Sequence, residues 1–497
     1  MKKTIINAIS AALILLAATS CNGWLEAVST TQIEGYKLFE EKMGYYDALT
    51  GVYLDMGKSH AYGQYITSML PDLAVYPYIT STLTTMSMWQ THSYKTATVQ
   101  STVTNLWVTC YNIIANINFE LSQLEQHRSL FSEELEYDLI RGELLGRRAY
   151  VHLDLMRLLG VAHPADAVNS SKVTIPYVTE YSKNVTPQLS YAETRKLLMS
   201  DIEEALKCLE DDPVRGKKTE AFQNAANSEG YWNHRTKHMN YYSALALAAR
   251  AHQWFDESSI AAEYAQKAAE GALKAGAVTW CNHDAAVNET DRLKIDLTFS
   301  SEHLFSLEVT ELYSNAYIFY VASSNGGILL NTPFIDEVAF PVVDSETGAL
   351  SGREDIRGPL VLLSRTNVGY VNYKLYGSAS RTVPFRNRMP MLRLSEMYYI
   401  MAENHILQGE PEKALDCLDA VRHARGITTD LPDTKDAMKE LTLEYYREFI
   451  NEGQLIHWLK HTDLKYDMGK GYFDLAPEHL TFPYPQAEIA SGRIQEL

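Results

Sequence analysis

Twelve alanines fall between Asn240 and Gly276, and this run constrains the fold more than any other stretch of the chain. Alanine has the highest helix propensity, and its small side chain lets two helices approach closely. The run is interrupted near Asp256 to Ser258, so it reads as two helices folded back on each other. Met391 to Gly426 follows the same plan. There Gly409 ends a first helix, Pro411 suits the opening turn of the next, and Gly426 closes it.

Each hairpin is close to the ~34-residue unit of tetratricopeptide (TPR) repeats, although neither carries the full repeat signature. Caps and periodicity predict more helices. Ser132 is the expected N-cap of a helix with Glu133 and Glu134 in its first turn. Its apolar stripe is Ile140, Leu144, Val151, Leu155 and Leu158; Glu143 and Arg147 lie one turn apart, and Gly160 follows its end. Ser190-Tyr191-Ala192-Glu193 reads as a capping box opening a helix to about Leu209, stopped by Asp211-Asp212-Pro213. A last long helix is expected from about Lys435 to Leu459. Irregular stretches lie between, at 61–100, 161–189, 211–238 and 280–390, with strand-like runs at His303 to Val309 and Tyr370 to Tyr376. Loops this long carry function or hidden local structure.

The N-terminus reads as an address. Lys2 and Lys3 precede an apolar run from Ile5 to Ala18, followed by Thr19-Ser20-Cys21. The run is too short to span a bilayer, and small residues before a cysteine resemble a bacterial lipobox. Residues 1–20 are then a signal peptide, and Cys21 carries the lipid. The alternative is a plain secretory signal with a chance cysteine. No later run reaches the roughly 18 apolar residues of a membrane span; the nearest, Tyr241 to Phe255, contains Arg250 and His252. Lys and Arg total 44 against 62 Asp and Glu, a formal charge of −18 that repels phosphate backbones and argues against nucleic acid. Cys110, Cys208, Cys281 and Cys417 form no CxxC pair and are expected as buried free thiols, although three pairings remain open.

The chain has no Gly-rich phosphate loop, GxSxG or HExxH. Glu133/Glu134, Glu203/Glu204 and Asp211/Asp212 are sequence neighbours that do not face each other on a helix, and they read as solvated faces rather than a hydrolase pair. His457/His461 and His234/His238 have one-turn spacing, but a metal site needs a third ligand, so no metal and no cofactor is expected. Aromatic residues are the remaining signal, because sugars stack their C–H faces on rings. Tyr76, Tyr78 and Trp89 lie in a Ser/Thr-rich stretch without helical period. Tyr313, Tyr317 and Tyr320 follow the strand-like run in a loop ending Asn325-Gly326-Gly327, and Trp280 is a further candidate. The competing reading is that each ring fills a local loop core.

Motifs in order along the chain resemble the SusD/RagB family of surface nutrient-binding lipoproteins. They begin with Cys21 to Glu26, Phe39 and Tyr46 to Tyr53, then Trp107, Tyr111, Ile114 and Asn116. Gly142-Glu143, Arg148-Ala149-Tyr150 and Leu153 to Gly160 follow, with Ile175-Pro176 and Asp201 to Ala205. Arg393 to Tyr398, Ala402-Glu403, Val421-Arg422, Arg425-Gly426, Arg447 to Phe449, Glu452 to Gln454 and Pro483 to Pro485 with Glu488 complete the set. Tyr445 stands where an Arg is common. The resemblance implies a mainly α fold in one large domain, 21–497. About four TPR-like pairs, from segments near 33–56, 100–160, 190–210, 238–276 and 391–459, would pack against a long-loop lobe carrying short strands. It also implies a non-catalytic, outer-membrane, cell-surface protein that binds oligosaccharide and delivers it to a SusC-like TonB-dependent transporter. One branch of the family binds peptides, and a surface glycoside hydrolase is the contrasting class. A platform aromatic follows a Pro-x-Asp-like segment in the family, and Pro71-Asp72 with Tyr76 and Tyr78 fits loosely. Expected site residues are thus Tyr76, Tyr78, Trp89, Tyr313, Tyr317 and Trp280.

Replacing Cys21 with Ala is expected to release the chain from membranes or leave it unprocessed, since stable attachment needs more than one acyl chain. Fractionation of cells expressing the variant checks this; processed, membrane-bound protein would refute lipidation at Cys21.

Overall fold

The computed structural model describes residues 35–80, 85–216, 227, 230–316, 328–342, 351–376, 383, 385–462 and 475–495. Its longer helices are α1 (Lys42–Met56), α2 (Ala97–Gln126), α3 (Glu134–Leu159), α4 (Tyr191–Cys208), α5 (Tyr241–Trp254), α6 (Ser258–Lys274), α7 (Leu394–Leu407), α8 (Pro411–Ala424), α9 (Ala437–Glu448) and α10 (Leu455–Thr462). From α1 to α8 each helix packs on the next, which makes four successive pairs. The alanine run is the α5–α6 hairpin. Asp256 makes its turn at φ +58°, and a Cβ on Gly271 would fall 2.7 Å from the Tyr242 ring, so the close crossing requires glycine. The second hairpin is α7–α8, with Gly409 at φ +76° and Gly426 at φ +99° in its turns. Ser190 caps α4 through the expected box: Glu193 N–H donates to Ser190 Oγ, and Ser190 N–H donates to the Glu193 carboxylate.

Among the described residues the lobe holds two small antiparallel sheets. One has the order β1-β3-β5-β4, from β1 (Tyr78–Ile79), β3 (Leu329–Leu330), β4 (Leu363–Arg365) and β5 (Tyr370–Asn372), with Tyr78 opposite Leu330 and Leu330 opposite Tyr370. The other pairs β2 (His303–Glu308) with β6 (Arg388–Arg393), Leu307 opposite Met389. β1 belongs to the first irregular stretch and β3 to the last, so the two stretches are woven into one lobe.

Several expectations are corrected. Met391 to Arg393 is not the start of a helix but the buried end of β6. The N-cap of α3 is Glu133, not Ser132, and its side chain makes no capping bond. Residues 61–100 are not all irregular: Tyr65–Met69 is a π-turn, and Leu70–Val75 and Thr85–Gln90 are α-helices. The last long helix is broken between α9 and α10, where Asn451 has φ +65° and Gly453 φ +71°. Asp72 holds that break by accepting the backbone N–H groups of Asn451 and Gly453. Asp212 is not on a solvated face; it is buried and accepts two bonds from Arg235. The four cysteines are free thiols, Cys110 and Cys208 buried and Cys281 and Cys417 half-buried.

The scaffold and lobe meet at a buried network of charges around Glu448. Its carboxylate accepts from Arg393 (2.5 Å), Arg425 (2.5 Å) and Arg357 (2.9 Å). Arg357 also reaches Asp355 and Glu444, Arg425 reaches Glu302, and Arg393 reaches Glu452. Burial alone would raise the Glu448 carboxyl, but Arg425, Arg393 and Arg357 hold it well below the ordinary range. Glu444 is likewise penalised by burial, yet Arg357 and Arg447 bring it from 4.5 to about 2.

A carboxyl lowered on folding stabilises the fold above its unfolded value and loses that contribution as pH falls through the folded one. Glu444→Gln is therefore expected to cost about 3 kcal/mol or more at pH 7, because guanidiniums lose a buried partner. The gap to the parent should close between pH 4.5 and about 2. Denaturant melts across that range check it; a gap independent of pH would refute the assignment.

Candidate ligand-binding site

The predicted rings fall into three groups. Tyr76, Tyr78 and Trp89 are core side chains, 2%, 5% and 0% exposed, so they are withdrawn as platform rings in this structure. The Tyr76 hydroxyl donates to the Tyr446 carbonyl, Tyr78 donates to Asn451 Oδ1, and Trp89 packs edge-on against Phe482 at 4.8 Å. The short helices on either side of β1 fold these rings inward. Trp280 is half-buried and sits on the scaffold, 5.2 Å from Tyr398 of α7, apart from the lobe rings. Tyr317 and Tyr320 lie outside the described residues, as does Cys21.

Tyr313 stays half-buried in the lobe and meets Tyr376, which in turn meets Tyr373; the sequence singled out neither ring. The Tyr313 centroid lies 5.3 Å from Tyr376 at 39°, and Tyr376 lies 5.4 Å from Tyr373, near-perpendicular. The Arg292 guanidinium stands 4.3 Å from the Tyr373 centroid. β5 ends at Asn372, and a turn closed by Tyr376 N–H on the Tyr373 carbonyl (2.8 Å) brings both rings together. The three-residue spacing of Tyr370, Tyr373 and Tyr376 was the available signal, but in a strand residues three apart fall on opposite faces.

Beside Tyr376 a recess of about 30 Å³ is lined by Asp296, Leu312, Lys374, Asn387 and Arg388 among others. That is room for one or two waters, not for a sugar ring. A ligand must therefore lie across the rings. The floor is fixed: Ser300 donates to Asp296, Arg388 donates to Ser306 Oγ, and Lys374 donates to the Glu448 carbonyl. Burial pushes the Asp296 carboxyl up and the Lys374 ammonium down. Burial also holds His303 near 3, hence neutral, with Nε2 bonded to the Thr298 carbonyl.

The His457/His461 pair serves the fold. His461 lies between Glu403 and Asp256, and burial with Arg157 and Lys460 pushes His457 well down. Among the described residues one cluster has metal-like spacing, Asp419, His423 and Asp430. Asp419 accepts from Arg422 and Leu431 N–H, while His423 pairs with Asp430, so internal bonds account for it. No described helix is long and apolar enough to cross a membrane.

Residues 36–229 match a SusD-like family model described as starch-binding and associating with the outer membrane, and residues 343–458 match the SusD/RagB family model. The chain belongs to the SusD/RagB family. A SusD superfamily protein from Bacteroides thetaiotaomicron is similar in structure at 18% identity and TM-score 0.67, over 91% of this chain and 98% of that one. A SusD superfamily protein from Bacteroides vulgatus gives 18% and 0.69, over 92% and 98%. A SusD-like carbohydrate-binding protein from Bacteroides vulgatus gives 15% and 0.61, over 84% and 82%. No curated protein matches. The SusD/RagB motif residues Arg393, Arg425, Glu448 and Glu452 all lie in the buried charge network, so these motifs report the fold rather than the ligand.

Trp89→Ala is expected to cost about 3–5 kcal/mol of stability as a core truncation. Tyr376→Ala, at a half-buried ring, should stay within about 1 kcal/mol of the parent. Thermal melts of both variants check the division of rings between core and surface.

Proposed function

We propose that this SusD/RagB protein is a lipid-anchored, non-catalytic saccharide-binding protein of the outer membrane, facing outward, which passes its ligand to a SusC-like TonB-dependent transporter. The observation that carries the reading is the family description, starch-binding and associating with the outer membrane. The lobe geometry supports it. Tyr313 and Tyr376 meet at an angle over a rigid polar floor, the arrangement a chain of pyranose rings needs: apolar faces for C–H groups and acceptors and donors for hydroxyls. A net charge of −18 favours neutral glycans over sulfated or uronate-rich ones. Binding without turnover is supported by the fate of the carboxylates near the rings: Asp296, in the recess wall, accepts from Ser300 N–H, Ser300 Oγ and Thr298 Oγ1. Glu444 and Glu448 are saturated by arginines in the core, where no substrate reaches them.

A glycan array with the mature chain identifies the ligand class, and calorimetry measures it. Tyr376→Ala and Tyr313→Ala are each expected to weaken binding by about 2 kcal/mol with little change in melting temperature. Chromatography of the incubated glycan should show no shortened product. A transporter should co-purify from outer membranes. Unchanged binding in both variants would move the site elsewhere, and product formation would establish a hydrolase.

A further inference from the structure

A large concavity lies away from the lobe, on the helical scaffold. It is a groove of about 660 Å³ between the second half of α2, the first half of α3 and residues 179–181. No residue lining it lines the lobe recess. Its volume falls in the range of ligand pockets, roughly 300–1,000 Å³. Tyr137 and Tyr181 line it. Tyr181 is 50% exposed, yet its ring is backed by Phe119 at 4.8 Å, which is itself packed edge-on by Tyr36 at 5.2 Å. Tyr137 is steadied by the Arg128 guanidinium, 4.3 Å from its centroid, and by the edge of Phe131. Both rings are thus held by neighbours before any ligand arrives.

The polar lining is held as well. Asn118 donates to the Val178 carbonyl at 2.9 Å and accepts from Arg148 at 2.8 Å. Arg141 is fixed by Glu204 at 2.6 Å, and Glu125 and Glu180 are exposed acceptors of the same groove. Held rings beside fixed donors and acceptors suit a polyhydroxylated ligand, since little side-chain freedom is lost on binding. A protein partner fits less well, because interface centres are depleted in charged residues and this groove is lined by Arg141, Arg148, Glu125 and Glu180. We propose that the groove is a second saccharide site, independent of the lobe and used alongside it. The proposal rests on the saccharide reading above and adds a location that reading does not need.

Native gels carrying amylopectin, xyloglucan, α-mannan or arabinan test it with the lipid-anchored chain in detergent. Tyr376→Ala, which weakens the lobe surface, is expected still to be retarded in at least one gel. Adding Tyr181→Ala to that variant should then weaken the retardation at least tenfold. Adding Tyr181→Trp instead should preserve it, and adding Glu180→Ala, an exposed substitution, should weaken it without changing the melting temperature. The second site is overturned if Tyr376→Ala alone abolishes all retardation, or if adding Tyr181→Ala and Glu180→Ala leaves mobility unchanged. If no gel retards the parent, the saccharide reading itself falls, and the groove proposal with it.

Discussion

Glu448 is the point on which the rest of the structure hangs. One buried carboxylate accepts from guanidiniums on three separate pieces of chain: Arg357 in the lobe, Arg393 at the end of β6 and Arg425 at the end of α8. Each of those arginines has a second acidic partner, so no cation in the cluster depends on Glu448 alone. Buried ion networks add little net stability over a well-packed apolar core, but breaking one leaves an uncompensated charge that costs several kcal/mol. The value of this arrangement is therefore its discrimination. A lobe displaced from the scaffold would strand charges in a dry interior.

That constraint reaches the proposed binding surface through Lys374. Its ammonium donates to the Glu448 carbonyl and pairs with Glu452. Tyr373 and Tyr376 flank it in sequence, so the backbone carrying both rings is tied to the centre of the molecule. Asp72 acts in parallel. It clamps the α9–α10 break that presents Glu452, while Tyr78, six residues on, begins the sheet in which β3 joins β1 to β5. Buried charge thus sets the position of these half-buried rings, which ties the motif residues Arg393, Glu448 and Glu452 to the proposed surface although all three are buried.

The hairpins were legible because their signals are local. Alanine content, Gly409, Pro411 and the Ser190–Glu193 box each act within a turn of where they stand, and β2 announced itself by composition. What was illegible is set by distant partners. The break after Glu448 lies in a segment with helical pattern and depends on a carboxylate 379 residues away. Asp212 looked solvated beside Asp211 until Arg235 was placed on it. Tyr76, Tyr78 and Trp89 lie among Ser and Thr that suggest a wet loop, and only the packing of two short helices shows them to be core. In the other direction, Tyr376 was hidden inside a strand-like run that stops four residues short of it.

The excess of tyrosine over phenylalanine, 32 against 14, follows from the same core. An interior threaded with carboxylates and free carbonyls needs rings with a donor at the tip. Tyr76 supplies one to the Tyr446 carbonyl, Tyr150 to the Met391 carbonyl, Tyr399 to Glu444 and Tyr177 to Asp201. Phenylalanine at these positions would remove a donor from each buried acceptor, a loss of about 0.5–1.5 kcal/mol per bond. These four tyrosines serve the polar core, so tyrosine abundance by itself says little about sugars. What distinguishes a ring available to a ligand is partial exposure combined with backing by other rings, the condition met by Tyr313 and Tyr376 on the lobe and by Tyr181 on the scaffold.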